Sequence, residues 1–211
     1  HALMALCREA GAEGVDYGNV ADDPQLLREA LGRCVEEDMV VTTGGVSVGD
    51  HDFVKDAFDA HEATLRFWKV RVKPGKPLAF GYIGGKPAFG LPGNPVSCMV
   101  GFLQFVRPVI RKSLGDAAPY LPVIQARLGA AVSKKPGRAL FARVVLGLEE
   151  GEVRANPVGN DSSGSTMSMV EADGLALLGE DNAGLQKGDR VDVQVLRWDW
   201  QCRAVGDYPW S

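Results

Sequence analysis

"VVTTGGVSVGDHDFVKDAF", residues 40–58, decides how the rest of the chain is read. It opens as an apolar, β-branched run, bends through Gly44, Gly45 and Gly49, and ends among Asp50, Asp52 and Lys55. A buried strand that runs through a glycine loop into a helix is the repeating unit of an open α/β sheet. Such sheets hold ligands at the carboxyl ends of their strands. Amides exposed by glycine can approach an anion closely, and Ser47 adds a hydroxyl inside the bend. An ordinary turn is the competing account. No GK[ST] closes the loop and no GxGxxG occurs in the chain, so neither familiar nucleotide motif applies.

Working outward, residues 1–10 read as a helix already in mid-course, with Leu3, Leu6, Cys7 and Ala10 on one stripe and Gly11 as its stop. That abrupt start makes the chain an expected fragment of a longer protein. "GVDYG" (14–18) reads as a short strand, Asp23 before Pro24 as a helix cap, and residues 25–35 as an amphipathic helix carrying Leu26, Leu27, Ala30, Leu31 and Cys34. Strands follow at 39–43, 64–72, 78–82 and 87–91, with a helix at 54–60 and a long one at 96–114 that Pro108 should kink. This alternation predicts an α/β layer with a largely parallel sheet. From Tyr120 onward the runs are short, glycine-punctuated and without a helical stripe, an all-β texture. The expected organisation is an α/β domain over 1–118, a β domain over 119–199 and a tail over 200–211 with no assigned structure.

The totals narrow the classes. With 211 residues, 45% apolar, the chain is long enough for one or two cores. A net charge of −4 argues against nucleic-acid binding through bulk positive potential. Cys7, Cys34, Cys98 and Cys202 form no CxxC pair, which favours a reducing, cytoplasmic setting over a zinc or disulfide framework. No apolar run reaches the roughly 18 residues a membrane span requires, so no membrane partner is expected. His1, His51 and His61 show no ligand spacing.

Three further stretches carry chemistry. "GLPGNPVS" (90–97) repeats the strand–turn–helix device, with Pro92, Gly93, Asn94, Pro95 and Ser97 facing a helix start that favours oxyanions. Its ordinary alternative is a connection in which Asn94 caps the helix and Pro95 is the first helical residue. In "FWKVRVKPGKP" a period of two places Phe67, Lys69, Arg71 and Lys73 on one face, with Lys76 in the turn beyond. Lysines guarding a sheet edge would explain a row of this kind too, yet four cations in an acidic domain favour an anion site. In "ADDP" Asp23 is the cap and Asp22 is spare; with Asp50 and Asp52 it could offer the hard oxygens that Mg²⁺ takes, or remain a solvated loop acid.

Taken together, "DDP", "TTGGVSVGDHDFVK", "FWKVRVKPGKP", "GLPGNPVS" and "NDSSGS" resemble, in order and spacing, the C-terminal half of the molybdopterin molybdotransferase family, to which gephyrin is related. The resemblance implies a three-layer molybdopterin-binding α/β domain followed by a small β-barrel-like domain. It implies a transferase that inserts molybdate into molybdopterin or its adenylate, with the glycine loop (Gly44, Gly45, Ser47, Gly49) as a cradle for the pterin phosphate. Carried over by motif, Asp22, Asp52, Lys69 and Lys73 are its catalytic residues, and Asp22 and Asp52 its Mg²⁺ ligands. Lys76, Pro92, Gly93, Asn94, Pro95, Ser97, Arg143 and Ser165 join the glycine loop in binding substrate. The family also implies a homodimer, whose partner completes the site, and an acidic "GDEL" strand that this chain lacks. A molybdopterin adenylyltransferase and a gephyrin-like scaffold are the alternatives. The first expects "GGTG" and no β domain; the second expects peptide binding in place of catalysis.

Overall fold

A computed structural model of the chain describes residues 1–21, 23–34, 36–45, 64–159 and 166–203. Two compact units emerge: His1–Val70 with Gly75–Tyr120, and Arg71–Pro74 with Leu121–Ser211.

In the first unit, helices α1 (Ala2–Ala10) and α2 (Pro24–Cys34) precede strands β1 (Val40–Thr43) and β2 (Thr64–Trp68). After the two-residue strand β3 (Val72–Lys73), which belongs to the other unit, come β4 (Ala79–Ile83), β5 (Lys86–Leu91) and α3 (Pro95–Gly101). The sheet runs β1-β5-β4-β2. Its faces follow from alternation. Val40, Ala79, Ile83 and Ala88 pack on the α2 side with Leu31, whereas Leu78, Phe89 and Leu91 pack on the other with Ala10 of α1 and Phe102 and Val106 beyond α3. Two cores on opposite faces of one sheet make the three-layer α/β arrangement that the resemblance implies.

Strand directions are more mixed than a largely parallel sheet. Among the described residues β1–β5 is parallel, while β4–β5 and β2–β4 are antiparallel. The reason is local: Gly84 (φ 55) and Gly85 (φ 77) close a tight hairpin between β4 and β5, and a two-residue turn can only reverse the chain.

Both helix caps read from sequence are present. Asp23 Oδ1 accepts from the backbone N–H of Gln25 (2.8 Å) and Leu26 (2.9 Å). Gly11 (φ 92) ends α1, donating to the Arg8 carbonyl. The 96–114 helix is not continuous. A π-helical segment, Phe102–Val106, separates α3 from α4 (Arg107–Ser113), and the Arg107 N–H reaches back five residues to the Phe102 carbonyl. Pro108 has no N–H for the Gln104 carbonyl, and its ring would press on that oxygen; the widened turn removes the clash. "GVDYG" is not a strand: Asp16 Oδ1 accepts from the Gly18 N–H at 2.8 Å, a side-chain turn that takes the place of a ladder bond. The helix expected at 54–60 lies outside the described residues.

The second unit is built on β6 (Val123–Leu128), β7 (Val132–Ser133), β8 (Ala139–Glu149), β9 (Glu152–Pro157), β10 (Gly174–Leu178), β11 (Gly184–Leu185) and β12 (Arg190–Val195), with α5 (Met167–Glu171) before β10. Strands β10-β12-β6-β9-β8 close on themselves, because β10 also pairs with β8. Closure removes the edges, and Leu140, Ala142, Val144 and Leu146 of β8 point inward to a core with Leu128, Leu178 and Val193. Strand β3 lies alongside β8 in parallel, Lys73 beside Leu140. The tail is not featureless: α6 (Trp200–Arg203) brings Trp200, 4% exposed, into this core.

Buried Asp173 ties the barrel to its exit. One carboxylate oxygen accepts from the Leu146 N–H and the other from Arg197 Nε at 2.8 Å. A fully buried carboxylate needs such partners.

Candidate functional site

The register of the first sheet sets one row across four strands: Trp68 beside Ala79, Ala79 beside Gly90, Gly90 beside Thr42. Within two residues of this row, at the same end of the sheet, the chain leaves β1 at Gly44, leaves β5 at Pro92 and leaves β2 at Lys69. Two hydrogen bonds continue the ladder there, from the Gly44 N–H to the Leu91 carbonyl (3.0 Å) and from the Lys69 N–H to the Leu78 carbonyl (2.9 Å). A third, from the Val70 N–H to the Lys76 carbonyl (3.0 Å), brings Lys76 to this end as well. Strands stand about 4.8 Å apart, so Lys69 and Gly44 are separated by about 14 Å of sheet edge.

Gly44 (φ 82) and Gly45 (φ 66) take consecutive left-handed conformations, which side chains resist. The second loop meets the first: a Cβ on Gly93 would lie 3.5 Å from Gly44 Cα. Asn94 Oδ1 accepts from the Ser97 N–H (3.4 Å), and Pro95 opens α3, so the ordinary capping role is realised in this loop. Ser97 and Pro92 are buried and shape the turn, while Gly93 and Pro95 are exposed.

The row of cations is broken, which corrects the expectation of one face. Lys69 has φ 73, a bulge lies between Leu65 and Phe67, and the following residues leave for the other unit. A left-handed residue ends the period of two, so Lys69, Arg71 and Lys73 cannot line one strand. Lys69 Nζ sits 4.3 Å over the Trp68 ring, a cation–π contact. Arg71 pairs with Glu180 at 2.9 Å. Lys73, in the second unit, lines a groove of about 480 Å³ with Ser133, Lys134, Lys135, Arg138 and Leu140.

Arg143 of β8 is 4% exposed and lies on the face opposite Leu140 and Ala142, beside Leu175; its carbonyl accepts from the Val158 N–H. Asp22, Ser47, Gly49, Asp52 and Ser165 lie outside the described residues. Among the described residues no three His, Cys, Asp or Glu gather in a way that could hold a metal ion. No helix there is long and apolar enough to cross a membrane. The groove cations Lys134, Lys135 and Arg138 are absent from the sequence-derived candidates, although "SKKPGR" joins cations to a Pro-Gly turn just as "VKPGKP" does.

A two-core α/β unit with paired glycine loops at one sheet end, followed by a closed β unit, defines a ligand-binding α/β protein with a barrel appended. Residues 1–112 match the family described as "Probable molybdopterin binding domain", and residues 125–196 match the "MoeA C-terminal region (domain IV)". The chain therefore belongs to the molybdopterin-binding domain family. The "Molybdopterin molybdenumtransferase" of Bacillus subtilis is 32% identical over 99% of this chain and 48% of its own length. A "Molybdopterin molybdenumtransferase 2" of Mycobacterium tuberculosis is 34% identical over 93% of this chain and 49% of its own. Among solved structures, the molybdopterin biosynthesis MoeA protein from Pyrococcus horikosii superposes with a TM-score of 0.77 at 31% identity, covering 93% of this chain and 47% of that one. A molybdenum cofactor biosynthesis protein from Pyrococcus furiosus gives 0.72 at 28% identity, covering 92% and 62%. The chain spans about half the length of the curated relatives it matches.

Proposed function

We propose that this chain takes part in inserting molybdate into molybdopterin, or its adenylate, during molybdenum cofactor synthesis. The observation that supports this best is the gathering of two glycine loops and two lysines, Lys69 and Lys76, at one end of one sheet. Both substrates are anions and repel each other; cations and outward amides held in place beforehand offset that repulsion without reorganising at each turnover. Gly44, Gly45, Pro92 and Gly93 form the floor on which the pterin phosphate rests, with Ser47 and Gly49 continuing the first loop. Lys69 and Lys73 carry the catalytic charge. Asp22 and Asp52 supply hard oxygen ligands suited to Mg²⁺. Arg143 and Ser165 serve from the β domain, with domains at 1–118 and 119–199 and the tail at 200–211. A cytoplasmic homodimer is the working form. The closed β unit is at odds with an adenylyltransferase, which lacks one.

Calorimetry with molybdopterin tests this on the chain and on Lys69→Met. Loss of one charge-assisted hydrogen bond should cost about 1.5–3 kcal/mol, roughly ten- to a hundredfold in affinity. Equal binding by both proteins would reject the site.

A further inference from the structure

The second unit holds a cationic groove of which the proposed function uses only Lys73. Its far wall is the turn 133–138, and that turn is firmly anchored. Ser133 pairs with Gly184, the Lys134 N–H donates to the Ala183 carbonyl, and the Gly137 N–H donates to the Glu180 carbonyl. Lys134 Nζ donates to three carbonyls, those of Gly179, Glu180 and Asn182. Lys134 is thereby a structural clamp, and the groove keeps its shape before any ligand arrives.

Lys135 and Arg138 differ from Lys134. Both are exposed, and among the described residues neither has an ion-pair partner. The nearby carboxylate of Glu180 is engaged with Arg71 at 2.9 Å. Among the described residues the groove thus lines up four cations and no acid, within a chain of net charge −4. Edge protection by lysine accounts for Lys73 on the short strand β3, but not for two cations in a turn. Leu140, whose side chain packs into the barrel core, also borders the groove. At about 480 Å³ the space matches small-molecule sites and is far larger than a lone tetrahedral oxyanion fills.

We propose that this groove binds a phosphate monoester of nucleotide size, with Lys135 and Arg138 holding the phosphate, Arg138 through its guanidinium fork. The inference goes beyond the proposed function, in which the pterin phosphate rests on the glycine loops of the first unit, and it names the groove's ligand by chemical class alone. The chemical class follows from the groove itself.

The test is calorimetry on the 211-residue chain with AMP, with adenosine as the uncharged control and inorganic phosphate as the anion alone. AMP should bind more tightly than phosphate, and adenosine should give no heat. The exposed pair Lys135→Ala with Arg138→Ala should weaken AMP by about tenfold or more. Arg138→Lys, which keeps the charge and loses the fork, should fall between. AMP affinity unchanged in the double variant, adenosine as tight as AMP, or phosphate as tight as AMP would each overturn the proposal. Lys69→Met separates it from the proposed function. If that variant loses molybdopterin while the double variant keeps AMP, the groove fails and the function stands. The opposite pattern keeps the groove and removes the function.

Discussion

Gly93 faces Gly44 so closely that a Cβ on Gly93 would stand 3.5 Å from the Gly44 Cα. This contact arises because β1 and β5 are parallel neighbours whose carboxyl ends, Thr43 and Leu91, are in register. The two loops form one floor, and their glycines are constrained in different ways. Gly44 is left-handed (φ 82), so Gly44→Ala strains the backbone and should cost about 1 kcal/mol of stability. Gly93→Ala meets only an ordinary van der Waals contact, so it should leave unfolding midpoints unchanged while narrowing the crevice and weakening molybdopterin. Urea titrations alongside calorimetry read both effects. Equal loss of stability in the two variants would contradict the assignment of strain to Gly44 alone.

Asp23 predicts a purely structural effect. Its carboxylate accepts the N–H groups of Gln25 and Leu26, two of the donors that a helix start leaves unpaired. Asp23→Ala should lower stability by about 1 kcal/mol, Asp23→Asn by less, and neither should change ligand affinity. Denaturation midpoints with and without ligand check this. A change in affinity at unchanged stability would move Asp23 from the cap to the site.

The caps, the glycine loops and the β texture of the second unit are legible in sequence because each is a local matter: one side chain, one bend, one run of short strands; its closure, which rests on β10 pairing with β8, is not. Nor is the break after Trp68. A period of two in "FWKVRVK" carries no sign that Lys69 is left-handed or that Val72 and Lys73 pair with Ala139 and Leu140, far along the chain. Tertiary pairing decided that strand, as it decides most β-structure. Trp200 escaped for another reason: α6 is a single turn, too short for any periodicity to register. Of the site, the paired loops could be read from their glycines and prolines. Lys135 and Arg138 could not be joined to Lys73 without the register of β3 on β8.

Asp116 gives the chain a pH dependence of known sign. The Ala118 N–H, and then the Arg111 guanidinium at 2.7 Å, hold its carboxyl below the usual carboxylate range. A depressed folded value means the contribution is present above the unfolded value near 4 and is lost as pH falls through the folded one. The gap in urea midpoint between the chain and Asp116→Asn should therefore hold steady from pH 7 to about 5 and close below about 4. A gap that widens in acid would show that the pairing is not the cause.

Cys98 should be a silent thiol. It is 7% exposed in α3, against Phe102 and Leu91, and burial pushes its thiol up to about 11. Only a thiolate reacts with iodoacetamide, and at pH 8 about one molecule in a thousand would carry one at this position. In the native chain, labelling followed by mass spectrometry should find Cys98 unmodified after Cys7, which is less buried, has reacted. In urea the two rates should converge. The same burial fixes the sign of the stability effect. Because the folded value is raised, the neutral thiol's contribution is complete below the unfolded value and fades as pH climbs toward 11. Cys98→Ala removes that dependence and leaves a small cavity in the core between α3 and the sheet, so its stability deficit should be present at pH 7 and shrink above about 9. Native Cys98 labelling as fast as Cys7 at pH 8 would place this thiol at an accessible surface and overturn the packing from which its silence was argued.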